Sequence, residues 1–443
     1  APTDFGLMGI ALLSISSLEA LSKTGFRTAL IQKKDGEEKY LDAAWSFEVI
    51  RGISLTIILF LFAPVITDFF GEPRALWIVR TLGFTLLFKR IANIGVVYFQ
   101  KDLNFHKEFV YRSSGTLAGL IVGIPIALIT RSVWALVLAN LAIEITRCVT
   151  SYFVSTYRPN FTIDLEKWKE LFEYGRWMLG LSVLYFVVLQ GDDVFLGKVI
   201  GTTALGLYQM AFKFGNLVVK EITKLIGKLA FPAFSKIQDD LKRMKRVLLI
   251  ILETQSYLVF PLTAGICILA PEFIYVVLGK KWMPMVPALT ILALSGLIRA
   301  STLGRHFMAV GRPNFNFTAR LLRAIVMVVT IYPLSVKWES AGVALAVLLG
   351  LLCKIPIWAF YTKRTININY KQLFKPFFLP LIGTLCMSIV VLSVKNIFEI
   401  KSFIGLMSSS LTGVIVYFGF SLFCWKVNRS GPFKSLNKIK NTI

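Results

Sequence analysis

The sequence predicts an all-α integral membrane protein: two six-helix bundles related by a pseudo-two-fold along the membrane normal, plus two C-terminal helices. An apolar composition, an alternation of basic and non-basic loops, and a doubled plan carry this reading. Of 443 residues, 56% are hydrophobic and 17% charged, with a mean hydropathy of +0.68. Soluble domains carry about a quarter charged residues. Apolar runs of about 20 residues, long enough to cross a bilayer as helices, number about thirteen. They centre near residues 18, 57, 88, 120, 145, 188, 219, 263, 297, 325, 351, 384 and 414. Little chain remains for a soluble domain.

The net charge of +24 bears first on topology. Alternate loops Gln32–Ala43, Gln100–Glu108, Thr156–Gly175, Ser235–Arg246, Gly311–Pro313, Lys363–Lys375 and the tail after Trp425 hold roughly 23 cations. The intervening loops Gly71–Ala75, Arg131–Ser132, Ile200–Thr203, Gly279–Met283, Lys337–Glu339 and Lys395–Lys401 hold roughly 7. The positive-inside bias makes the first set, and the C-terminus, cytoplasmic. With an odd number of spans, Ala1 is then expected outside. The opening "APTDFGLMGIALL" lacks the basic region of a cleavable signal, so the first helix of the N-terminal bundle is expected to be missing. The five cysteines lie in apolar spans without paired spacing and read as small buried hydrophobes, not metal ligands or disulfides.

The doubling appears as short matches at an offset of about 200 to 210 residues, in one order. Phe5–Leu7 matches Leu205–Leu207, and Phe69–Pro73 matches the run ending at Pro284; Asn104–Phe105 matches Asn314–Phe315, and the run from Ser132 matches that from Ser340. Six spans per copy give both copies one orientation. The expected organisation is an N-terminal bundle at 1–157, a cytoplasmic amphipathic linker at 158–175 behind an Asp164 cap, a C-terminal bundle at 176–365, and a terminal helix pair with a basic tail at 366–443.

The stretches "DFGLMGIALLSISSLEALSKTGFRTALIQKKDGEE", "FFGEPRALWIVR", "LGLYQMAFKFGNL", "FPAFSKIQDD" and "MAVGRPN" resemble the polysaccharide transporter branch of the MOP superfamily, which contains the Wzx-type oligosaccharide flippases. The resemblance covers essentially the whole chain, and its motifs are structural, not catalytic. It implies fourteen helices and a bacterial inner-membrane transporter. Its cargo would be a polyprenyl-diphosphate-linked oligosaccharide, flipped from the cytoplasmic to the outer leaflet for O-antigen or exopolysaccharide assembly. The implied partners are that lipid-linked oligosaccharide, membrane lipids and polysaccharide polymerase machinery; nucleic acid is not among them. The resemblance also implies a groove for the polyprenyl tail formed by the last two spans.

Charged residues inside spans are the candidate site. In "KFGNLVVKEITKLIGKLAF", Lys213, Lys220, Lys224 and Lys228 fall on one stripe at about 100° per residue. A lysine at mid-bilayer costs roughly 2.5 to 3.5 kcal/mol, so the stripe is expected to face a cavity. Lys228 can snorkel to headgroups, and Glu221 can pair with Lys224. Lys213, Lys220 and Lys224, with Arg27, Arg80 and Arg299, are the substrate-binding candidates, a cationic rail for a diphosphate. Glu48–Arg51 and Glu144–Arg147, spaced i, i+3, read as structural pairs. Asp192 and Asp193 inside a span are the ion-coupling candidates for Na+ or H+, against a simple ion pair with Lys198 or with an arginine of a neighbouring helix. His106 and His306 read as surface or capping residues at loop edges. No phosphate-binding loop, nucleophile elbow or zinc-protease motif occurs, so no cofactor and no enzyme activity are expected. The alternatives are a cation-coupled drug antiporter of the same superfamily, which calls for an acidic or neutral cavity, and a membrane polysaccharide polymerase or glycosyltransferase, which calls for a large external loop.

Overall fold

The computed structural model describes residues 1–23, 26, 38–101, 104–237, 240–302, 304–310, 312, 314–397 and 402–428. Among them the regular structure is helical. The long helices are α1 (Pro2–Leu21), α2 (Glu38–Phe70), α3 (Leu76–Ile91), α4 (Phe105–Thr130), α5 (Trp134–Val154), α6 (Leu165–Val199), α7 (Thr202–Lys236), α8 (Leu241–Phe273), α9 (Val286–Ser301), α10 (Asn314–Ile366), α11 (Tyr370–Ile397) and α12 (Phe403–Asn428). Every expected span falls in one of them, and among the described residues nine stretches are long and apolar enough to cross a membrane. At 1.5 Å per residue, the 53 residues of α10 would reach about 80 Å, more than twice a hydrocarbon core of about 30 Å. The helix divides accordingly at Trp338 (φ −131°, ψ 17°) and Glu339 (φ 46°, ψ −126°), giving the two spans expected near 325 and 351.

Alternate connections are tight reversals through the left-handed region. Gly71 (φ 67°), Arg131 (48°), Gly201 (113°), Gly279 (89°) and Glu339 (46°) each sit in one of the cation-poor loops. A left-handed residue closes the last helical turn and redirects the chain at once, which lets so few residues join antiparallel helices.

The chain forms two compact units, Ala1–Gly206 and Leu207–Ile443. In the first, α4 packs on α5, α2 on α3, α3 on α5, and α1 on α6. In the second, α8 packs on α9 and α11, α9 on α10, and α11 on α12. One core of the second unit gathers Phe234, Met244, Leu248, Phe307, Trp358 and Leu373.

The segment expected as a linker helix begins as an extended strap and becomes the start of α6. Asp42 accepts from the Tyr157 hydroxyl and from Asn160 N–H (2.9 Å). Ser46 Oγ accepts from Thr162 N–H (2.8 Å), and Trp168 Nε1–H donates to Ala43 O (2.7 Å). Burial and the Asp42 bond push the Tyr157 hydroxyl well above its ordinary pKa. Asp164 caps α6 as expected, accepting from Lys167 N–H at 3.0 Å. No proline interrupts the 35 residues that follow, so surface turns and span form one continuous helix.

His106 is exposed as expected. His306 is fully buried, contrary to the surface reading: its short helix, Arg305–Ala309, tucks inward beside Phe307, and Nε2 lies 3.2 Å from Thr362 Oγ1. Of the cysteines, Cys148 and Cys424 are buried, Cys267 and Cys353 half-buried, and Cys386 exposed.

Candidate functional site

Two features of different chemistry stand out, one in each unit. In the first unit, a cavity of about 410 Å³ is lined by Ser16, Glu19, Lys23, Glu48, Arg51, Lys89, Arg90, Tyr185, Phe186 and Gln190. On α2, Glu48, Arg51 and Gly52 share a helical face. A Cβ on Gly52 would lie 2.8 Å from Arg90 Cβ, so this glycine lets α3 approach and brings Arg90 to Glu48. Arg90 bridges Glu48 and Glu19, the latter at 3.0 Å. Lys89 Nζ also reaches Glu19, at 2.8 Å. Arg51 binds Glu48 at 3.1 Å and Ser22 Oγ at 3.0 Å. Three cations thus share two acids, and Glu48 and Arg51 are nearly inaccessible at 3% and 8% exposure. Burying such charges is tolerable only when they are mutually bonded.

Towards the mouth, Lys23, Lys89 and Tyr185 are exposed. Lys23 and Lys89 offer ammonium donors to an anion, while carboxylates, guanidinium groups and Gln190 can bond hydroxyls in either sense. The Glu48–Arg51, Glu144–Arg147 and Glu221–Lys224 pairs anticipated from spacing all form, at 3.1, 2.9 and 3.3 Å. What spacing did not disclose is that Glu48–Arg51 is the inner end of a three-helix network. Its other members come from α1 and α3, far away in sequence.

In the second unit, α7, α8, α11 and α12 surround a groove of about 710 Å³. Phe214, Leu217, Pro261, Leu262, Leu269, Met387, Val391, Leu406 and Val414 make it almost entirely hydrocarbon. Its Ser409 and Ser410 hydroxyls turn back onto Gly405 O (2.9 Å) and Leu406 O (2.8 Å) of their own helix. A Cβ on Gly265 would meet nothing within 4 Å, so that residue keeps part of the groove open. Such a surface suits an alkyl or isoprenoid chain.

Of the residues singled out in the sequence, Lys213, Lys220 and Lys224 do share an exposed face of α7, and Lys224 is held by Glu221. None of the three lines either cavity. The Arg80 guanidinium lies over the rings of Phe60 (4.5 Å) and Trp77 (5.0 Å) on the α2–α3 surface, away from the ionic cavity. Arg299 stands over Phe212 at 5.5 Å. Asp192 is buried and Asp193 half-buried in α6, while Lys198 lies over Phe69 at 4.8 Å. Arg27 and the side chains of Lys228 and Arg305 lie outside the described residues.

A many-pass helical protein with a polar pocket in one unit and an apolar groove in the other has the build of a membrane transporter of amphiphiles. The chain belongs to the family described as polysaccharide biosynthesis protein, whose profile matches residues 1–287. It is similar to the teichuronic acid biosynthesis protein TuaB of Bacillus subtilis (strain 168), 25% identical over 411 residues, 89% of this chain and 83% of the relative. It is also similar to the lipopolysaccharide biosynthesis protein WzxC of Escherichia coli (strain K12), 24% identical over 387 residues, 85% and 79% of the two chains. Its fold is that of the lipid II flippase MurJ in an inward closed conformation (TM-score 0.77, 16% identity, 97% of this chain and 94% of that one). An inward-facing multidrug resistance MATE transporter of the MOP superfamily shares it too (TM-score 0.68, 14% identity, 82% and 91%).

Proposed function

We propose that this chain flips a polyprenyl-diphosphate-linked oligosaccharide from the cytoplasmic to the outer leaflet of the bacterial inner membrane by alternating access, for O-antigen or exopolysaccharide assembly. The observation that carries the reading is the pairing of chemistries. The first unit holds a charged pocket whose donors and acceptors suit sugar and phosphate, and the second, taken by itself, a groove of hydrocarbon that suits an isoprenoid chain. The family and the relatives' names, which speak of teichuronic acid and lipopolysaccharide biosynthesis, support it. The drug-antiporter alternative draws on the MATE likeness, but an organic cation would meet four cations against two acids in the first unit's pocket. In this reading the protein is a transporter and not an enzyme, its C-terminus is cytoplasmic, the polymerase machinery receives its product, and Asp192 or Asp193 couples transport to Na+ or H+.

The test is complementation: the full-length gene is placed in a flippase-deficient host and surface glycan is measured for wild type and Lys220→Ala. Wild type restores glycan and the variant exports less. Equal export by both removes the α7 lysine stripe from the mechanism, and no export by wild type overturns the function.

A further inference from the structure

The groove of the second unit is hydrocarbon along its length but not at one end. Tyr257 of α8 and Tyr417 and Ser421 of α12 line it there. Their three hydroxyl oxygens are sealed from solvent, and none closes a hydrogen bond among the described residues. Tyr257 and Ser421 are each 3% exposed. Elsewhere on α12 the hydroxyls behave differently: Ser408, Ser409, Ser410 and Thr412 all turn back onto carbonyls of their own helix, at 2.8 to 3.0 Å. Thr384 of α11, beside Tyr417, likewise gives its proton to Pro380 O (2.7 Å). A buried hydroxyl left unbonded is unfavourable. Three of them at one end of an open groove call for a ligand that accepts their protons.

The lining states what kind of acceptor fits. No charged residue lines the groove, so a phosphate or diphosphate at the hydroxyls would be buried without a cation. An isoprenoid tail reaching this point offers no oxygen at all. An ester carbonyl is neutral, accepts two hydrogen bonds and sits at the head of an alkyl chain, which matches donors at the end of a hydrocarbon trough.

The length agrees. Leu269 and Leu406 share a cluster near the far end, so α8 and α12 run along the groove in opposite directions. From Tyr257 to Phe273 is about 24 Å, and from Leu406 to Ser421 about 22 Å, at 1.5 Å per residue. Ordinary C–C lengths and angles give about 1.25 Å per methylene, so an extended chain of about 18 carbons fills that span. Beyond the hydroxyls, Lys426 is exposed about 8 Å further along α12. An ammonium there suits the phosphate that follows the glycerol esters of a membrane lipid.

We propose that the groove holds one acyl chain of a glycerophospholipid, its ester carbonyls accepting from Tyr257, Tyr417 and Ser421 and its phosphate lying toward Lys426. An incoming isoprenoid chain then exchanges with this resident lipid. The exchange rests on the function proposed above; the lipid site itself does not.

Full-length protein in dodecyl maltoside, stripped of co-purified lipid, is titrated with dioleoyl phosphatidylethanolamine and with its dioleyl ether analogue, which lacks the carbonyl oxygens. Binding is read by native mass spectrometry. Wild type binds the diester roughly tenfold more tightly than the diether, as one or two hydrogen bonds require. In Tyr257→Phe/Tyr417→Phe/Ser421→Ala the diester falls to the affinity of the diether, while thermal stability is retained because no hydrogen bond within the protein is lost. Ser410→Ala, whose hydroxyl is held by its own helix, keeps the preference. Equal affinity for the two lipids in wild type, or an ester preference that survives the triple variant, overturns the site. A long-chain polyprenyl phosphate displaces the diester, with an affinity that the triple variant leaves within about twofold. If that affinity collapses in the triple variant, the isoprenoid is the hydroxyls' ligand and the proposal is overturned; if the polyprenyl phosphate binds without displacing the diester, the exchange alone falls. An ester preference in a protein that fails complementation refutes the transport reading and leaves the lipid site.

Discussion

Glu48→Gln is the sharpest perturbation of the ionic pocket. The carboxylate is 3% exposed and lies between Arg51 and Arg90, which repel one another across it. Removing its charge leaves two buried guanidinium groups with half their compensation, since Glu19 continues to hold Arg90. Breaking a buried pair by removing one partner costs about 3 to 5 kcal/mol. Glutamine keeps one acceptor oxygen, so the lower end, about 3 kcal/mol, is expected. At about 1.4 kcal/mol per tenfold, that is roughly a hundredfold in the folding equilibrium. The assay is reversible unfolding in mixed micelles, followed by tryptophan fluorescence. The double variant Glu48→Gln/Arg51→Gln should recover part of the loss, because it also removes a stranded cation. Glu72–Arg74 serves as reference: its arginine is 64% exposed, and Arg74→Gln should cost no more than about 1 kcal/mol. A Glu48→Gln protein within about 0.5 kcal/mol of wild type would show that the network is solvated and contributes little.

Three other outcomes are expected. Gly265→Phe should place its Cβ in open space and its ring in the apolar groove, changing thermal stability by no more than about 1 kcal/mol; it should weaken binding of a long-chain polyprenyl diphosphate while sparing inorganic pyrophosphate, and equal loss of both would contradict the groove's role. Gly206→Val places a Cβ about 2.0 Å from Pro2 O, so α1 must move; a thermal-stability loss of about 1 to 3 kcal/mol is expected, and an unaltered melting profile would contradict that packing. Asp164 has its carboxyl held below the usual range by the Lys167 N–H and then the Lys167 ammonium. A depressed value means the cap stabilises above the unfolded pKa of about 4 and is lost as pH falls through the folded one, so the protection factors of amides 165–168, measured against the intrinsic exchange rate at each pH, should fall on acidification, and Asp164→Asn should flatten that response.

The spans were legible because a bilayer demands about 20 apolar residues at a stretch, and even the two arms of α10 could be separated at Lys337–Glu339. Pairs at i, i+3 were legible because helix geometry alone brings them together. The pocket was not, since Glu19, Glu48 and Arg90 meet through tertiary packing that hinges on Gly52. The groove could be expected only from the family resemblance, which placed one at the last two spans; the residues themselves do not show it, because they are the same leucines, valines and methionines that face lipid elsewhere. Arg80's surroundings were not legible because hydropathy treats any cation in a span as seeking water, whereas this guanidinium rests on the faces of Phe60 and Trp77.

The left-handed residues at Gly71, Arg131, Gly201, Gly279 and Glu339 leave almost no slack chain at the ends of the helices they join. A protease would find few scissile bonds at any of these turns, and a foreign peptide spliced there would strain two helices at once. Epitope insertion should therefore be accepted poorly at each of these five turns.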